Sequence, residues 1–193
     1  MLRSVLYNPA MTAPNAIAVI ANRGGSDNQA LLTAAAAAWS RAGLRVVGLT
    51  AGNAGPGKTC SAGFLHDIAA REQFSIRLDA PAPGSTCSLD PSGMERACQA
   101  ILAHVPLADV VVLSKFGKLE TMQRGLWPAF EMAVSAGKPL LTTVSVKHVA
   151  AWEAFAPKAA WIEADRRAIE EWWRRIADYR RRPSDADIPE LVS

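Results

Sequence analysis

Two stretches of this sequence combine residue types and spacing suited to phosphate or oxyanion chemistry. The first is Gly52-Asn53-Ala54-Gly55-Pro56-Gly57-Lys58-Thr59, which fits the pattern G-x-x-x-x-G-K-[ST] at every fixed position. In that pattern backbone N–H groups surround phosphate oxygens, the lysine neutralises charge and the hydroxyl binds a magnesium ion. Gly52, Gly57, Lys58 and Thr59 would carry these roles; the alternative is a flexible surface loop. The second stretch is Ser114-Lys115-Phe116-Gly117-Lys118-Leu119-Glu120, with Arg124 shortly after it. A hydroxyl beside an ammonium favours an anion over a metal ion, because the charge to be balanced is positive. Glu120 is a candidate base or metal ligand and Arg124 a candidate anion clamp; alternatively, Lys118 and Glu120 form a local surface pair.

Other reactive residues are sparser. Cys60, Cys87 and Cys98 cannot all pair, and no C-x-x-C spacing suggests zinc or a redox dithiol, so a reducing compartment fits. Cys60 and Cys87 flank a presumed insertion and are candidates for a ligand or redox role, although small buried cysteines need none. His66, His104 and His148 show no ligand spacing, and no metal site is predicted.

The elements that would position these residues alternate between strand and helix. Ala16–Ala21 reads as a buried strand feeding the turn Asn22-Arg23-Gly24-Gly25-Ser26-Asp27, followed by a helix over Asn28–Ala42 that stops at Gly43. Leu44–Thr50 reads as a second strand, and a β-α-β unit implies a parallel sheet. Gly63–Ile68 and Phe74–Leu78 suggest an inserted hairpin, with one helix over Ser61–Glu72 as the alternative. Asp90-Pro91 caps a helix running to about His104. The β-branched run Asp109–Leu113 predicts a central strand covered on both faces. Beyond it come a helix over Gly125–Ala136, a strand over Pro139–Val144, a short helix over Lys147–Phe155, an edge strand over Ala159–Ile162 and a last helix over Asp165–Arg181.

The expected fold is therefore α/β, with a mainly parallel sheet, helices on both faces and an inserted β-hairpin. Residues 1–15 are expected to be a flexible N-terminus, 16–163 the core, 164–182 the C-terminal helix and 183–193 a tail. At 193 residues with 50% hydrophobic and 20% charged residues, the chain can bury one substantial core. No apolar run approaches the roughly 20 residues needed to cross a bilayer. With no convincing secretory core, a cytoplasmic protein is expected. The net charge of +3 is concentrated in C-terminal arginines interleaved with acids, so a solvated helix face is favoured over a nucleic-acid surface. In that helix Ile169, Trp172, Trp173, Ile176 and Tyr179 form a stripe suited to docking.

Sheets of this kind bind ligands beyond the carboxyl ends of their strands, after Ala21, Thr50, Leu113 and Val144. In phosphate-loop enzymes the position of Ser114 and Lys115 normally carries an aspartate for magnesium, often beside a glutamate that orients water. The order of these motifs, most specifically Lys115-Phe116-Gly117-Lys118-Leu119-Glu120 with Arg124-Gly125, resembles domain-of-unknown-function family 2478 over roughly Ala16 to Trp173. The resemblance implies a P-loop nucleoside-triphosphatase-like fold and a genomic setting beside molybdate-transport genes. That family in turn resembles small nucleoside triphosphatases whose central strand ends in an Asp-Glu-Ile-Gly-Lys-Met-Glu type motif. Gly117, Lys118 and Glu120 match it, whereas Ser114 and Lys115 occupy the acidic places, and Asn22–Asn28 lacks the phosphate-loop lysine.

These departures lead to the expectation of a non-hydrolytic anion- or nucleotide-binding protein, with an oxyanion such as molybdate, or ATP or GTP, as ligand. Arg23, Gly24, Gly25, Ser26, Ser114, Lys115, Gly117, Lys118 and Arg124 would contact it. The alternatives are a magnesium-dependent triphosphatase or kinase using Gly52–Thr59, and a protein-interaction module acting through the Trp/Arg-rich last helix. A homo-oligomer or a protein partner is compatible with all three readings.

Overall fold

The computed structural model describes residues 15–21, 27–52, 63–78 and 89–181. The first strand, β1 (Ile17–Ile20), is fully apolar and leads toward helix α1 (Asn28–Arg41). Asp27 caps that helix, its carboxylate accepting a hydrogen bond from the Ala30 N–H at 3.0 Å. Leu32, Ala35, Ala36 and Trp39 recur at helical spacing and bury one side of α1 against the sheet. Gly43, at φ +84°, ends the turn that follows and admits β2 (Val46–Ala51).

The predicted hairpin is present as β3 (Phe64–Asp67) and β4 (Gln73–Ser75), antiparallel to each other, with β3 antiparallel to β2. Asp67 closes its turn by accepting from the N–H groups of Ala69 and Ala70 at 2.8 and 3.0 Å. Helix α2 (Pro91–Leu102) begins at Asp90, whose carboxylate accepts from the Ser92 N–H at 2.9 Å.

Strand β5 (Val110–Phe116) is central, as its β-branched run implies, but extends past Leu113, so that Ser114 and Lys115 lie within the strand. The helix expected over Gly125–Ala136 is preceded by a short one: α3 (Lys118–Thr121) precedes α4 (Trp127–Ser135). Strand β6 (Leu140–Val144), helix α5 (Val149–Phe155), strand β7 (Ala160–Ile162) and helix α6 (Arg166–Arg180) complete the order.

The seven strands run β4-β3-β2-β5-β6-β1-β7. β2, β5, β6, β1 and β7 are mutually parallel, so the carboxyl ends of these five share one rim. One face is packed by Ala97, Cys98 and Ile101 of α2, Ala129, Phe130 and Ala133 of α4 and Trp152 of α5. The other is packed by α1 together with Ile169, Trp172 and Ile176 of α6. Burial pushes the Cys98 thiol up to about 11, which keeps it protonated and unreactive at neutral pH.

The tryptophan stripe of α6 docks internally, as expected: Trp39 stacks obliquely on Trp172 and Trp173 at 6.1 and 5.1 Å between ring centroids. Tyr179 is the exception on that stripe, at 46% exposure. On the outward side Arg166 pairs with Glu170 and Arg167 with Glu171 one turn apart, so acids balance part of the basic surface.

Candidate functional site

The rim is built around an irregularity in β5. Leu113 is in register with Thr142 and Phe116 with Val144, so three steps along β5 match two along β6. The extra residue makes a bulge at Ser114-Lys115, opposite Thr143. The peptide between Ser114 and Lys115 is cis. Lys115 is exposed while Ser114 and Phe116 are buried, so the bulge presents the ammonium to solvent and holds its neighbours inside.

Ser114 is held by a residue 85 positions earlier. Its Oγ lies 2.6 Å from Oε1 of Gln29, in the first turn of α1. The Ala51 N–H donates to the same oxygen at 3.3 Å, and an N–H can only donate, so the orientation of the amide follows. Gln29 Oε1 is an acceptor, and the Ser114 hydroxyl spends its proton on it. One amide therefore ties the start of α1 to the carboxyl ends of β2 and β5, and its NH2 group has no acceptor among the described residues.

The same face of the rim carries further polar groups. Thr143 follows Leu141 by two residues on β6 and aligns with Ile20 on β1, both in the core under α1 and α6, so its side chain takes that face too. Its hydroxyl is buried with no hydrogen-bond partner among the described residues. Thr50, also buried, aligns with His66 on β3. Gly52 follows β2, its N–H donating to the Phe64 carbonyl at 3.2 Å, and a Cβ placed there would come within 2.7 Å of His66 Nε2.

Glu120 is not on the surface. Only 2% exposed, it accepts from the Gly117 N–H through Oε2 and from the Leu126 N–H through Oε1, both at 2.9 Å. Its carboxylate thus clamps the two ends of the segment linking β5 to α4. Gly125, at φ +64°, passes so close that a Cβ would lie 2.7 Å from Oε1. This arrangement replaces the alternative of a Lys118–Glu120 surface pair and leaves the carboxylate committed to backbone donors. Arg124 is also engaged: its guanidinium meets Glu95 of α2 at 2.8 Å.

Burial pushes the Glu120 carboxyl above its ordinary value of 4.5; backbone N–H donors, chiefly that of Leu126, and the charge of Lys115 oppose the rise without cancelling it. The folded protein therefore holds this proton to higher pH than the unfolded chain does. Across that interval the native state binds more protons, and stability falls as pH rises. The stability difference between wild type and Glu120→Gln is expected to shrink upward from about pH 4.5 and to level off once the native carboxyl ionises. Urea titrations at several pH values measure it; a constant difference would contradict the raised value.

Of the residues singled out from sequence, Ser114, Lys115, Gly117 and Lys118 gather at the end of β5, and Gly52 stands at the end of β2. Arg23, Gly24, Gly25, Ser26, Gly57, Lys58, Thr59, Cys60 and Cys87 lie outside the described residues. The described element following Gly52 is β3, a strand, whereas the phosphate-loop pattern opens a helix. Gln29 and Thr143 escaped sequence reading: no motif marks them, and strand alternation was the one signal that could have placed Thr143 on the α1 face. Among the described residues no three His, Cys, Asp or Glu side chains gather as a metal site.

Comparison with known proteins agrees with the motif order. The family model described as protein of unknown function (DUF2478) matches residues 17–172. The chain belongs to the DUF2478 family. The DUF2478 match covers every strand of the sheet and the first half of α6, and the fold is of the α/β, P-loop NTPase-like class that the sequence implied. The chain is also 32% identical over 164 residues to the molybdenum import ATP-binding protein ModC 2 of Bradyrhizobium diazoefficiens. That match covers 83% of this chain and 18% of the relative, so the chain spans under a fifth of the relative's length. No solved structure gives a significant match. Among the described residues no helix is long and apolar enough to cross a membrane.

Proposed function

We propose that this DUF2478 chain is a cytoplasmic, non-hydrolytic binding domain for a small anion or nucleotide, acting in molybdate or related oxyanion handling. The observation that carries the reading is the bulge at Ser114-Lys115, which sets an exposed ammonium on the ligand-bearing rim of the central strand. Where hydrolytic relatives of this fold class hold magnesium with acids, this chain offers a cation and a hydroxyl, and its nearby Glu120 is committed to backbone N–H groups. A positive rim attracts an anion and disfavours a second cation. The likeness to a molybdenum import ATP-binding protein supplies the oxyanion context.

Titration calorimetry with molybdate, tungstate, sulfate, phosphate and ATP tests the reading. Heat from at least one anion is expected, and Lys115→Glu should weaken that binding about 10-fold or more. Absence of heat from all five would overturn it.

A second reading, a magnesium-dependent triphosphatase or kinase, rests on the intact spelling of Gly52–Thr59. Phosphate release from ATP with magnesium, abolished by Lys58→Ala, would favour it; no release above background is expected. Partner binding through α6 would have to use its arginine side, because Ile169, Trp172 and Ile176 are spent on the core.

A further inference from the structure

We infer that Thr143 and Gln29, with the bulge at Ser114-Lys115, form a seat for one tetrahedral oxyanion, either a free ion or the terminal phosphate of a nucleotide. The inference rests on the anion-binding reading above and assigns its donors. Two observations meet on the α1 face of the rim, and a third supplies charge beside them.

Thr143 is 4% exposed and its hydroxyl has no partner among the described residues. A buried hydroxyl without a partner is unfavourable, and a ligand oxygen seated against it would supply the missing bond. Thr143 lies opposite the extra residue of β5, where regular strand pairing is interrupted.

Gln29 contributes the second donor. Its oxygen is occupied by the Ala51 N–H and the Ser114 hydroxyl, and its NH2 group, which has no acceptor among the described residues, is the part left for a ligand. Because Ser114 gives its proton to Gln29, it cannot also donate to an anion; it fixes the amide, and the role expected of it from sequence passes to Gln29. Lys115 adds the charge at the exposed lip of the bulge.

Two substitutions separate ligand binding from folding. Thr143→Val keeps the shape and deletes only the unpaired hydroxyl, so thermal stability should be unchanged or raised while oxyanion affinity falls about 10- to 100-fold. Gln29→Glu keeps both acceptor contacts, to Ala51 and Ser114, and turns the remaining donor into a negatively charged acceptor. Affinity should fall at least as far, with the fold retained.

Calorimetry uses molybdate and phosphate in one arm and ATP and ADP in the other. Loss in both arms, with ATP binding more tightly than ADP, identifies a terminal phosphate; loss in the first arm alone identifies a free ion. Wild-type binding that neither substitution weakens would overturn the seat and leave the anion reading standing. No binding by wild type would overturn both. A destabilised Thr143→Val would show that the hydroxyl has a structural partner, and that too would overturn the seat.

Discussion

Gly48→Ala is expected to cost about 4 kcal/mol or more of folding stability, a large part of the roughly 5–15 kcal/mol that holds a domain together. Gly48 lies in β2 opposite Val112 of β5, and a Cβ at this position would stand 1.8 Å from the Val112 carbonyl oxygen and 2.9 Å from its nitrogen. Neither atom belongs to a side chain that can turn aside. Gly48 also has φ +153°, backbone that a residue with a side chain rarely adopts. Relief would require β2 to move off the central strand, and the Gly48 carbonyl that accepts from the Ile68 N–H would move with it. Urea unfolding measures the loss. A variant within about 1 kcal/mol of wild type would mean that the two strands can separate without consequence.

Glu120→Ala should cost about 2–6 kcal/mol, because two buried backbone N–H groups lose their acceptor at once and each orphaned group costs about 1–3 kcal/mol. The donors are those of Gly117 and Leu126, at opposite ends of the segment that carries α3. Glu120→Gln keeps one acceptor oxygen and turns an NH2 group toward the other donor, so its loss should be smaller. The pair of variants also discriminates between roles. A general base replaced by glutamine loses turnover with little change in stability, whereas a loop clamp replaced by alanine loses stability first. Denaturant midpoints for both variants decide the matter, and an alanine variant as stable as wild type would dismiss the clamp.

Much of the architecture was legible because local rules and the final packing agree. The β-branched run in β5, the Asp90-Pro91 start of α2 and the hairpin of β3 and β4 all lie where period and capping chemistry put them. What was not legible depends on contacts between distant residues. Nothing in the run Val110–Leu113 announces that the strand continues to Phe116 through a bulge, because the bulge is defined by the register of β6. Glu120 looks like a solvated charge beside Lys118, and only the return of the chain at Leu126 buries it. Gln29 sits in a helix rich in alanine, where no motif marks a polar residue that reaches β5. The candidate site is thus half visible as sequence: the cation was, and the donors behind it were not.

The strand order also acts as a ruler. Two strands, β5 and β6, separate β1 from β2, and with neighbours about 4.8 Å apart the exits of β1 and β2 stand about 14 Å from each other. A lone tetrahedral ion can occupy one station along that row but cannot touch the ends of both β1 and β2. Any molecule that engages both must be elongated, so the length of whatever binds will report how much of the row is in use.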